Sequence, residues 1–149
     1  MASDFGLKAM NAVHRMVIKT TGGRLGWEGG GMPIVELTTI GRRSGEPRVA
    51  MLSSPYQENG TIVVVALGGG GSRHPAWYLN VLETPDVVVR WKGEDPQPMV
   101  ASVAGADDRA RLWPTITRNF PDYGKWQSET DRQLPVVLLD PVHELRPTY

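Results

Sequence analysis

The chain has 149 residues, 40% of them hydrophobic, which suits one soluble domain with a buried core. Its sixteen Lys and Arg balance sixteen Asp and Glu, so no global field marks it for nucleic acid or an acidic membrane. It has no cysteine, only three scattered histidines and no apolar run longer than residues 62–67, which excludes disulfides and thiol chemistry and argues against a metal centre or a membrane span.

Residues 5–20 read as an amphipathic helix, with Met10, Val13 and Val17 in one stripe, Phe5, Ala9 and Met16 beside it, and Lys8, Arg15 and Lys19 elsewhere. Gly22 and Gly23 stop it, and six glycines within residues 22–31 make a flexible lead. The chain therefore divides into residues 1–31, helix and lead, and residues 32–149, the folded domain. The helix either docks on that domain, which its modest stripe favours, or makes a peripheral membrane contact. Without a cleavable leader, the expected location is cytoplasmic, with membrane association as the variant.

From Pro33 the pattern becomes β. Strands are expected at residues 34–40 and 48–56, then a hairpin turn at Gln57-Glu58-Asn59-Gly60, where Asn-Gly accepts positive φ. Residues 61–67 form a strand apolar on both faces. Pro75 opens a short helix over residues 75–82. Residues 87–91 and 99–103 pair across a polar loop. A helix over 106–120 starts on Asp107 and Asp108, puts Leu112, Trp113, Ile116 and Phe120 on one face and is kinked by Pro114. Residues 134–139 are the last strand. About six short strands with local helices make a mostly β, antiparallel barrel, since the connections are too short for parallel crossovers.

Two segments look like a ligand site rather than core. Residues 41–48 gather Arg42, Arg43 and Arg48 around Ser44, Gly45 and Pro47, against one acid, Glu46. Such a turn is either a solvated connection or a grip for phosphate or carboxylates. Residues 68–80 bring four glycines, then Ser72-Arg73-His74, then Trp77, Tyr78 and Asn80. They form neither a Walker loop nor a dinucleotide fingerprint, but they let a flat ligand approach the preceding strand. Trp77 and Tyr78 either cap that ligand or pack the core. His74 is at most a hydrogen-bond donor to phosphate or backbone. Phe120, Tyr123 and Trp126 form either core or the aromatic wall of a substrate pocket on a partly exposed, mobile segment, where Tyr123 would donate a proton. No Ser-His-Asp order or paired carboxylates support hydrolysis.

In this order the segments resemble the deazaflavin (coenzyme F420)-dependent nitroreductase family of split β-barrel oxidoreductases. The matching text is residues 37–48, Pro75-Ala76-Trp77-Tyr78-Leu79-Asn80, Arg109-Ala110, Trp113-Pro114, Pro121, Tyr123 and Thr130-Asp131-Arg132. The resemblance implies a split β-barrel with an N-terminal helix and short peripheral helices, often paired as a homodimer. It implies that F420, with its phosphate and glutamate tail, is held by Arg42, Arg43, Ser44, Gly45, Pro47 and Arg48. The deazaflavin would lie along Ala66, Leu67, Gly68 and Gly69 and against Ala76, Trp77, Tyr78 and Asn80. The substrate pocket would comprise Ser53, Phe120, Tyr123 and Trp126, with Tyr123 as the catalytic proton donor. The implied activity is hydride transfer from reduced F420 to an electrophilic small molecule: a quinone, enone or nitroaromatic. FMN in place of F420, and a non-catalytic F420 carrier, are the alternatives. The chain departs from known members in carrying Gly69 for a lysine, Ser53 for an aromatic, and Phe120 and Trp126 for tyrosines.

Overall fold

The computed structural model describes residues 28–29, 31–67 and 73–142. The expected helix at residues 5–20, most of the glycine lead, and Gly68 and Gly69 lie outside the described residues.

In chain order the elements are β1 (Glu28–Gly29), β2 (Met32–Ile40), β3 (Pro47–Ser53), β4 (Tyr56–Glu58), β5 (Thr61–Val65), α1 (Ala76–Glu83), β6 (Asp86–Trp91), β7 (Gln97–Val103), α2 (Ala106–Asn119), α3 (Asp122–Ser128) and β8 (Val136–Pro141). All pairings are antiparallel, in the order β1-β2-β6-β7-β8-β5-β4, with β3 also on β2. This is the expected mostly β, antiparallel split barrel, carried by one sheet with helices at its periphery.

β5 shows why the sheet is held between two cores. Successive side chains of a strand point to opposite faces. Ile62, Val64 and Ala66 thus join Val35, Leu37, Trp77, Val81 and Val89 in one cluster. Val63 and Val65 join Leu112, Ile116, Tyr123 and Leu134 in the other. Burying each such aliphatic side chain contributes about 1.5–3 kcal/mol. The helix face expected from Leu112, Trp113, Ile116 and Phe120 packs on this second cluster.

The described sheet has eight strands rather than about six, and each extra one has a local cause. The expected strand over residues 48–56 ends at Ser53 and resumes as β4. Ser54 makes the break, donating its N–H to Pro33 O at 3.0 Å and its hydroxyl to Val63 O at 2.6 Å, and Pro55 has no N–H for a ladder. The chain there leaves β2 and pairs with β5. The other addition is β1: the lead expected to be flexible ends in two residues paired with Pro33 and Met32. The Asn-Gly turn is as expected, with φ of 51° at Asn59 and 85° at Gly60.

The helices bring one further correction, while α2 carries Pro114 in its interior as expected. The segment expected to be mobile, around Tyr123, is the helix α3, with Pro121 at its cap position and Asp122 in its first turn. No helix among the described residues is long and apolar enough to cross a membrane.

Candidate active site

The arginine turn between β2 and β3 is closed by its own backbone. Gly41 N–H donates to Glu46 O and Gly45 N–H to Gly41 O, both at 2.8 Å, while Ser44 Oγ accepts Glu46 N–H at 3.2 Å. Gly45 has φ of 72°, a left-handed value that glycine adopts without strain. A Cβ at Gly41 would lie 2.6 Å from Ser44 Oγ, so a side chain there would push the Ser44 hydroxyl off Glu46 N–H. The turn leaves Arg42, Arg43 and Arg48 exposed. Glu46 approaches Arg48 only at 3.8 Å between two solvated side chains, which leaves the cationic character of the turn largely intact.

Asn80 of α1 joins the helix to this turn. It is 3% exposed, accepts Arg42 N–H at 3.1 Å on Oδ1, and donates from Nδ2 to Thr39 Oγ1 at 3.0 Å. Between helix and turn lies an open pocket of about 500 Å³, lined by Thr39, Arg42, Arg43, Ser44, Arg48 and Trp77 among others.

A second pocket, of about 290 Å³, is mainly apolar, with Met32, Met51, Leu52, Leu67, Trp77 and Trp126 in its walls. Ser53 and Tyr123 bring its hydroxyls. Tyr123 is 2% exposed; its hydroxyl donates to Met32 Sδ at 3.5 Å, and burial pushes its pKa up to about 12. Its ring meets Trp126 edge-on at 5.1 Å. Trp77 lines both pockets, so a cationic chamber and an apolar one share an indole wall.

Most residues picked from the sequence converge here. Arg42, Arg43, Ser44, Arg48, Ala76, Trp77 and Asn80 line the larger pocket; Ser53, Leu67, Tyr123 and Trp126 line the smaller. Gly45 and Pro47 shape the turn without lining either. Ala66 and Tyr78 are buried in the first core, and Phe120 packs on the second. His74 lines neither pocket. Arg132 Nη1 lies 3.1 Å from its Nδ1, and a guanidinium only donates, so Nδ1 accepts. Its ring packs 4.8 Å from Tyr78.

The reading missed Met32, Met51 and Leu52, which are ordinary strand residues by pattern, and a polar network behind the site. Gln127 Oε1 accepts Leu134 N–H at 2.8 Å and Arg109 Nη2 at 3.2 Å, while its Nε2 donates to Arg132 O at 2.9 Å. Arg109 also lies 4.4 Å over the Trp113 ring. Arg109 and Arg132 stood in the matching text, but nothing local in sequence announces their partners.

Residues 10–141 match the family model described as F420H(2)-dependent quinone reductase. The chain belongs to this family. It is 34% identical over 131 residues to the F420H(2)-dependent quinone reductase Rv1261c of Mycobacterium tuberculosis, covering 85% of this chain and 87% of that one. Among solved structures, an F420-H2 dependent reductase, FDR-A, is 34% identical with a TM-score of 0.63, covering 72% of this chain and 94% of that chain. Another, a domain-swapped dimer, is 31% identical with a TM-score of 0.67, covering 94% of this chain and all of that chain. Family membership makes the chain an F420-dependent oxidoreductase and decides between the two expected cofactors in favour of coenzyme F420.

Proposed function

We propose that the chain reduces quinones with F420H2, the arginine pocket holding the anionic part of the cofactor and the apolar pocket taking the acceptor beside the ring. The observation that carries this reading is the shared Trp77 wall, which sets a three-arginine anion site against an apolar chamber. The donor set fits the cofactor. Arg42, Arg43 and Arg48 offer charge-assisted bonds to phosphate and carboxylates, and Ser44 adds a hydroxyl.

When bound, reduced F420 supplies the hydride. The chain supplies position and environment. Asn80 fixes the Arg42 backbone, and Trp77 with Trp126, Met32, Met51 and Leu52 keeps water from the acceptor. Tyr123, kept protonated by its raised pKa, presents its O–H to the acceptor oxygen on which negative charge gathers; Met32 sulfur is a weak competitor for that proton.

Fluorescence titration with F420 and with FMN, followed by F420H2 oxidation with a quinone panel, tests this. Tight F420 binding that Arg42→Ala or Arg48→Ala weakens by roughly tenfold, together with quinone-dependent turnover, is expected. Preference for FMN overturns the cofactor assignment, and binding without turnover identifies a carrier. The domain-swapped relative also favours a homodimer, which sedimentation velocity checks.

A further inference from the structure

We propose that Arg132 is the positioning residue of the apolar pocket: its guanidinium locks the end of β5 to the start of α1 and so sets the spacing of the pocket's walls. This rests on reading that pocket as the acceptor site. Arg132 does not itself line the pocket. Its Nη1 donates to Ala66 O at 3.3 Å and to His74 Nδ1 at 3.1 Å, and its Nη2 donates to Leu67 O. Val65 and Leu67 are wall residues on the β5 side, and Pro75 and Trp77 are wall residues on the α1 side. One planar group thus bonds to the backbone beneath one wall and to the residue preceding the other.

The third wall reaches the same residue. Tyr123 and Trp126 stand on α3, and Gln127 of that helix donates to Arg132 O at 2.9 Å. Arg132 N–H in turn donates to Thr130 Oγ1 at 3.4 Å. β5, α1 and α3 therefore meet at Arg132 through side chain and backbone together. The rigid fork of an arginine spans two carbonyls and a ring nitrogen at once, which the point charge of a lysine does not. Hydride transfer needs its reacting atoms about 3–3.5 Å apart, so wall spacing acts on the reaction even though Arg132 touches neither reactant.

The test compares wild type, Arg132→Met, Arg132→Lys and His74→Phe. The last keeps a ring against Tyr78 while removing the acceptor. Arg90→Met is the control, since Arg90 also bonds two backbone carbonyls, of Glu94 at 3.0 Å and Gly93 at 3.2 Å, and lines neither pocket. Quinone kinetics, F420 affinity and amide hydrogen exchange are read on each. Arg132→Met is expected to lower kcat/KM for quinone by about 10- to 100-fold. Its F420 affinity should change less than kcat/KM does, because Asn80 rather than Arg132 holds the arginine turn. Exchange should rise at residues 65–67 and 76–78. Arg132→Lys should rescue little, and His74→Phe should fall between.

Kinetics and exchange in Arg132→Met that move no further than in Arg90→Met overturn the proposal. If Arg132→Met does not fold, unchanged kinetics and exchange in His74→Phe do the same. Should wild type oxidise no F420H2 with any quinone, the proposed activity falls. Exchange at the two walls then decides the clamp by itself: raised in Arg132→Met it supports the clamp, unchanged it overturns it.

Discussion

Asn80 Oδ1 accepts the Arg42 backbone N–H at 3.1 Å, joining residues 38 apart in the chain and seating α1 on the arginine turn. The amide is buried, and both of its ends are used. The arginine turn is therefore fixed by a residue that contributes no charge.

Two substitutions at Asn80 separate structure from charge. Asn80→Ala strands Arg42 N–H and Thr39 Oγ1 and should cost about 2 kcal/mol, read as a fall in Tm. Asn80→Asp keeps the Oδ1 acceptor, and the Thr39 hydroxyl can turn to donate to the second oxygen. It should fold with a smaller loss, yet weaken F420 about tenfold by placing a carboxylate beneath the anion site. Equal F420 affinity in the two variants would argue against an anion site there.

Tyr123 carries a pH signature. Its pKa is raised from 10.0 to about 12, so the folded state holds the proton that the unfolded state releases first. Its contribution to stability is complete below pH 10 and is lost as pH rises toward 12. Tyr123→Phe should lack that alkaline loss in denaturant titrations. At neutral pH the same variant should lower kcat for quinone by at least about tenfold, through the missing hydrogen bond to the acceptor oxygen. No activity limb below pH 10 should belong to Tyr123.

Glu36 makes a test of the same sign, away from both pockets. It is 4% exposed on β2, opposite Arg90 and Met51, and burial raises its pKa despite the opposing pull of Arg90. Its neutral form is the better tolerated. The stability tied to it is complete below its ordinary value of 4.5 and is lost as pH rises through the higher folded value. Glu36→Gln should therefore stabilise by roughly 1 kcal/mol at neutral pH, with the gain vanishing below pH 4.5 in thermal melts.

What could be read from sequence followed the range of the forces involved. The apolar run of β5, the Asn59-Gly60 turn and the glycine-bounded arginine turn are set by residues next to one another, and each stands where it was expected. The break at Ser54 was hidden because its cause is a hydroxyl reaching Val63, nine residues away, and a partner exchange between strands. α3 was hidden because seven residues containing a glycine carry little helical pattern. The apolar pocket was half visible: Ser53, Tyr123 and Trp126 stood out, but Met32 and Met51 acquire meaning only when β2, β3 and α3 meet. Arg132 shows the limit most plainly, since its partners lie 58 to 66 residues upstream.

The place of β8 has a bearing on how the molecule is made. It follows every other described element in the chain, yet it lies inside the sheet, between β7 and β5. Until residues 136–141 are synthesised, β4–β5 and the β2–β6–β7 group have no ladder between them. Before β8 pairs, β5 and β7 therefore each present an open ladder edge, and this one strand closes both.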